Sequence, residues 1–177
     1  PAVAYGYWPC ASEQNDLVVF DPVSGAETAR FNLPRQMPDP DKPDRACKHL
    51  CLADYFRPRG ANAVGDEQGF IPAAAWAQGA RDVLACHVVT MGQIASEHCR
   101  RLFASDNYQE YLYFYGLSVE SAEALAEFWH KKIRQQLGIA GEDATALSDL
   151  FTQGYQGSRY SFGYPACPRL DDQAHLE

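Results

Sequence analysis

Arg159 heads the part of the chain whose residue types are best suited to chemistry. It lies in Tyr155-Gln-Gly-Ser-Arg-Tyr-Ser-Phe-Gly-Tyr-Pro-Ala-Cys-Pro168. Two glycines, two prolines and three tyrosines in fourteen residues forbid a long helix or a clean strand. The rings would not sit freely in water, so the stretch is expected to be an ordered loop. A guanidinium offers a planar fork of donors that matches a carboxylate or phosphate. Gly163 would let backbone come close to a ligand, and Tyr164-Pro165 keeps the chain extended just beyond it. Two readings follow from the residues alone. One is a small-anion site made of backbone groups, one guanidinium and aromatic walls. The other, which composition by itself favours, is a loop packed over the core with Arg159 in a structural salt bridge.

Other reactive types are scattered more thinly. Cys47-Lys-His-Leu-Cys51 places two thiols and an imidazole together, but the spacing is not that of a common zinc finger and no second ligand pair follows. Buried or partly buried thiols are the expectation there. His87 lies within an apolar run and reads as a hydrogen-bonded core residue. No nucleophile elbow, phosphate loop or dinucleotide fingerprint appears. No residue is assigned a catalytic or metal-ligating role.

These groups need a scaffold, and 177 residues suffice for one domain with a real core. Apolar residues make up 46% and charged residues 21%, which excludes general disorder. A formal charge of −8 disfavours nucleic acid or an anionic membrane surface as a partner and suits a basic or neutral protein face. No apolar run approaches the roughly 18 residues of a membrane span. The start, Pro1-Ala-Val-Ala-Tyr5, has neither a signal-peptide pattern nor an initiating methionine, so an excised or processed piece of something longer is expected. Six cysteines, several within apolar or helical patterns, predict reduced thiols and a cytoplasmic location.

Along the chain, Val3 to Trp8 reads as a strand. Residues 16–20 and 27–33 read as a hairpin around Asp21-Pro-Val-Ser-Gly25. Residues 34–43 form a connector, 50–56 a turn or two of helix, and 57–79 a loop with an embedded helical turn. Asp82 to Thr90, nearly continuous in apolar residues, predicts a centrally buried strand. A helix follows Gly92. The tyrosine-rich run 106–115 either extends that helix or breaks it. The clearest helix is expected from an N-cap at Ser118 to a stop at Gly138, with Ala122, Leu125, Ala126, Trp129, Ile133 and Leu137 on one face. Glu123, Glu127, His130 and Arg134 fall on a flank about 60° wide, which for an isolated helix reads as a solvated charged face. A short helix is predicted over 143–151. The fold class is α+β, a twisted sheet flanked by helices, and its mainly antiparallel arrangement is in part what the family resemblance below implies.

The ten residues Arg159-Tyr-Ser-Phe-Gly-Tyr-Pro-Ala-Cys-Pro168 resemble the Arg-x-x-x-Gly-Tyr-Pro-Ala-Cys-Pro signature of the activation domain of cobalamin-dependent methionine synthase. Tyr5-Gly-Tyr-Trp-Pro-Cys10 is similar to that family's first strand, and Leu33-Pro-Arg-Gln36 to its Leu-Arg-Gln. Cys51-Leu-Ala-Asp-Tyr-Phe56 resembles Cys-Leu-Ala-Asp-Phe, and 83–92 the strand ending in Val-Thr-x-Gly. Residues 122–134 resemble Ala-Glu-Ala-x-Ala-Glu-x-x-His-x-x-x-Arg. Taken in order, these segments cover nearly the whole chain.

The resemblance implies a module that binds S-adenosylmethionine and supports reductive remethylation of cob(II)alamin. The enzyme is a methyltransferase that moves a methyl group from methyltetrahydrofolate to homocysteine. Cobalamin is carried by a neighbouring module, and a flavodoxin-type protein donates the electron. It also implies ligand-binding roles for Arg159, which takes the donor's carboxylate, and for Ser161, Gly163, Tyr164 and Ala166. Glu123 would face the cobalamin module. Residues 1–177 would form a single activation-type domain, truncated at both ends relative to the family. The family's further aspartate and tyrosine contacts fall outside such a chain, and Tyr-Ser-Phe after Arg159 replaces Pro-Ala-Pro. The alternative is a protein-docking cap that keeps the fold without the ligand.

Overall fold

The computed structural model describes residues 1–38, 40–41, 48–61 and 69–176. Strands β1 (Ala2–Glu13), β2 (Asp16–Phe20), β3 (Glu27–Asn32) and β4 (Asp82–Thr90) form one sheet in the order β3-β2-β1-β4. β1, β2 and β3 run as an antiparallel meander, with Ala11 opposite Val18 and Val18 opposite Arg30. The helices are α1 (Ala73–Gln78), α2 (Gln93–Ala104), α3 (Tyr108–Gln136) and α4 (Leu147–Phe151). The α+β class with an antiparallel sheet is therefore observed.

The chain divides into two compact units. One comprises residues 7–85 and 159–177, the other residues 1–6 and 86–158. In the first, the period-2 alternation of the strands supplies two cores, one on each face of the sheet. Cys10, Leu17, Val19 and Phe31 join Leu33, Cys51, Ala53 and Cys167 on one face. Ala11, Val18 and Phe20 join Ile71, Ala75 and Ala80 on the other. β2 is thus buried on both faces.

The hairpin between β2 and β3 forms where the sequence placed it. Asp21 Oδ1 accepts the backbone N–H groups of Val23 (3.0 Å) and Ser24 (2.6 Å), a side chain standing in for a turn carbonyl. The predicted helical turns at 50–56 and 57–79 appear as a 3₁₀ segment, Leu52–Tyr55, and as α1. Part of the 34–43 connector and part of the second loop lie outside the described residues.

Two expectations are corrected. β4 is a strand but not a central one: it terminates the sheet order, and Val88 is 57% exposed. An apolar run reports side chains that want cover, whereas position in a sheet is decided by non-local pairing, and here β1 takes the interior place. The long helix begins at Tyr108, not after Ser118, so the tyrosine run is its first turns. Tyr108, Tyr111 and Tyr115 stack along it with centroids 5.9 and 5.7 Å apart, at the i, i+3 and i+4 spacings where helical side chains meet. Ser118 Oγ donates back to the Phe114 carbonyl (2.8 Å) and does not cap. Gly138, at φ +74°, ends the helix as predicted.

Candidate functional site

The stretch 159–168 is a turn held by its own atoms. Gly163 N–H donates to the Cys167 carbonyl (2.9 Å), and Cys167 N–H donates to the Tyr164 carbonyl (3.0 Å), closing a loop over Pro165 and Ala166. The Cys167 thiol donates to the Ser161 carbonyl at 3.0 Å. Burial, and secondarily the Asp172 carboxylate, push the Cys167 thiol pKa up, so it stays a protonated donor. Phe162 turns inward onto the core beside Phe31, with centroids 6.0 Å apart. The rings two residues to either side turn outward: Tyr160 is 45% and Tyr164 65% exposed. One apolar anchor thus sets two phenol rings at the surface.

Arg159 and Ser161 are half-buried at the start of this turn, and Ala166 is half-buried near its end. Gly163 sits at φ +91°, a conformation that side chains rarely adopt. A Cβ built there would meet Leu170 Cδ2 at 2.9 Å, so the space beside it is filled by Leu170. The five predicted residues of the turn thus share one small stapled structure. Glu123 is exposed on α3, in the other compact unit.

Sequence reading stopped at Pro168 and missed what lies beneath the turn. A 3₁₀ segment, Leu170–Leu176, follows directly, and its Asp172 is buried with Arg169 Nε at 3.6 Å. The signal was the i, i+3 pairing of Arg169 with Asp172. Also missed was a buried polar knot on α3. Arg134, which the flank reading placed in solvent, is 4% exposed and bonds Asp143 through Nη2 (2.8 Å) and Nε (3.1 Å). Its guanidinium lies 4.1 Å from the centre of the Tyr155 ring, and Nη1 donates to His130 Nδ1 (3.0 Å). Glu123 and Glu127 remain exposed, so the solvated reading holds for only half of that flank.

Cys47 lies outside the described residues. The Cys51 thiol donates to the Leu33 carbonyl (3.5 Å) within the core, and its backbone N–H is held by Asp54 Oδ2 (2.8 Å). Among the described residues, no group of three or more His, Cys, Asp or Glu could hold a metal ion. No helix among them is long and apolar enough to cross a membrane.

A family model, described as "Vitamin B12 dependent methionine synthase, activation domain", matches residues 1–177. The chain is 40% identical over 183 aligned residues to the methionine synthase of Mycobacterium tuberculosis (strain ATCC 25618 / H37Rv), covering 99% of this chain and 14% of that protein. It is 39% identical to the methionine synthase of Mycobacterium leprae (strain TN), covering 13% of that one. It thus spans about a seventh of the length of these curated relatives. Among solved structures, "Crystal Structure of the MetH Reactivation Domain bound to AdoHcy" is similar with a TM-score of 0.73 at 22% identity, over 98% of this chain and 48% of that chain. At that identity the likeness speaks for the fold. The family match over all 177 residues does more: this chain belongs to the activation-domain family of vitamin B12 dependent methionine synthase.

Proposed function

We propose that the chain is the S-adenosylmethionine-binding reactivation module of a cobalamin-dependent methionine synthase, a methyltransferase. The observation that carries this is the family match along the whole chain, with the signature residues Arg159 and Gly163 to Pro168 folded into one stapled turn. The residues present fit the ligand's chemistry. Arg159 supplies a guanidinium for the donor's carboxylate. The exposed rings of Tyr160 and Tyr164 offer π faces to a sulfonium or an adenine. Ser161, Gly163 and Ala166 border the same surface. S-adenosylmethionine supplies a methyl group on a positively charged sulfur, a good leaving group for transfer to a reduced metal.

On this reading cobalamin belongs to a neighbouring module of the same polypeptide, as the greater length of the relatives supports. Glu123 on α3 offers that module an exposed carboxylate. A flavodoxin-type donor supplies the electron, in the cytoplasm. Residues 1–177 act as a single activation-type domain.

Calorimetric titration of the chain with S-adenosylmethionine tests the assignment. Saturable binding is expected, and Arg159→Ala should weaken it by about 1.5–3 kcal/mol, the scale of a hydrogen bond to a charged group. Thermal melting that matches wild type would show the variant folded. An unchanged affinity in the folded variant removes Arg159 from the site. No binding by the wild-type chain leaves the protein-docking cap.

A further inference from the structure

A second arrangement of ligand-binding type is built wholly within the unit that contains α2 and α3. The two helices border an open cleft of about 500 Å³, within the size range of small-molecule sites. Three aromatic side chains wall it. Phe103 meets Tyr111 edge to face at 5.3 Å, and Tyr111 stacks on Tyr115 at 5.7 Å with an interplanar angle of 25°. Ala95 and Gly92 also line it, and a Cβ built on Gly92 meets nothing within 4 Å, so the space beside that glycine is open.

The polar content is specific. Ser96 and Ser118 spend their hydroxyl protons on the carbonyls of Gly92 (3.4 Å) and Phe114 (2.8 Å), so neither competes with Arg100 as a donor to a ligand. Of the lining residues, Arg100 alone is ionised at neutral pH. It enters no ion pair or hydrogen bond among the described residues. A cleft whose one ionised lining group is a cation selects for an anion through that local charge, against the chain's net charge of −8. The walls select for a flat ring, because stacked and edge-on faces bury aromatic surface at little entropic cost.

We infer that the α2–α3 cleft binds a planar aromatic anion, with Arg100 taking its acidic group and Tyr111, Tyr115 and Phe103 its ring. A sulfonium cation is the wrong charge for this cleft, so the inference does not rest on the function proposed for the turn at 159–168.

The probes are 1-naphthoate and its uncharged analogue 1-naphthamide, titrated into the ¹⁵N-labelled chain and followed by amide chemical shifts. Saturable shifts confined to residues 90–103 and 111–118 are expected, with naphthoate at least tenfold tighter than the amide. Arg100→Gln should abolish that preference without changing the thermal melt. Tyr115→Ala should weaken both probes several-fold, and Arg159→Ala should change neither. Equal affinity for the two probes, shifts centred elsewhere, or unaltered naphthoate binding in Arg100→Gln would overturn the inference. So would shifts that stay linear through the millimolar range.

Discussion

Trp129 shows how a single side chain records a compromise in this fold. Its ring packs edge-on against Tyr5, with centroids 5.1 Å apart, but its indole N–H is buried with no hydrogen-bond partner among the described residues. A buried donor without an acceptor forfeits its solvation, a cost of about 1–3 kcal/mol. Trp129→Phe removes that donor while keeping most of the aromatic area. Its stability in urea should lie within about 1 kcal/mol of wild type, not the roughly 3–5 kcal/mol typical of losing a large aromatic to alanine. A loss above 2 kcal/mol would show that the indole is satisfied in solution. Helical spacing put Trp129 on the inward face, and it could not show that the N–H lacks a partner. The same spacing put His130 and Arg134 on a charged flank. The structure buries both, because Tyr155 and Asp143 lie against Arg134 after the chain turns back at Gly138. A guanidinium can be buried when two carboxylate bonds and an aromatic face replace its water.

At the scale of elements, turn chemistry was the most legible signal. The Asp21-to-Gly25 loop needs a residue at positive φ, and Gly25 supplies it at +72°. The helix packed against it was not legible. A Cβ on Gly25 would run into the Ala74 carbonyl group, in the backbone of α1. Gly25→Ala therefore combines a left-handed backbone with a clash that no rotamer relieves. It should cost roughly 2–4 kcal/mol in urea denaturation, from the left-handed penalty plus overpacking. Gly163→Ala meets only the exposed end of Leu170, which can swing aside, and should cost about 1–2 kcal/mol. Equal losses at the two sites would mean that backbone conformation alone, and not the packing of α1, decides both. Element boundaries were less legible than element types. The start of α3 was missed because tyrosines have middling helix propensity, and their mutual stacking shows only once the helix is built.

Across the whole molecule, carboxylates do much of the organising. Hydrogen bonds from Asn32 and then Arg30 lower the pKa of Asp16. The Ser24 backbone amide lowers Asp21, Arg30 lowers Glu27 and Arg134 lowers Asp143. Arg35, with the Cys51 amide, brings Asp54 down to about 2. A carboxylate whose folded pKa is depressed contributes stability above its unfolded value, near 4, and loses it as pH falls through the folded value. The chain should therefore hold a plateau at neutral pH and lose stability between about pH 4 and pH 2. Asp54→Asn should be less stable at pH 7 and converge on wild type toward pH 2. Urea midpoints measured across that range check both curves, and a wild-type midpoint that is flat or rising from pH 4 to 2.5 would refute the account.

The sequence by itself determined the hairpin, the long amphipathic helix, the α+β class and the signature turn, because each rests on residues close together in the chain. Local spacing and turn chemistry carry that information. Only the tertiary structure decided that β1 and not β4 lies inside the sheet, that Arg134 is buried, and that Leu170 fills the space beside Gly163. Those outcomes depend on partners, such as β1 for β4, Asp143 and Tyr155 for Arg134 and Leu170 for Gly163, whose approach no local pattern specifies.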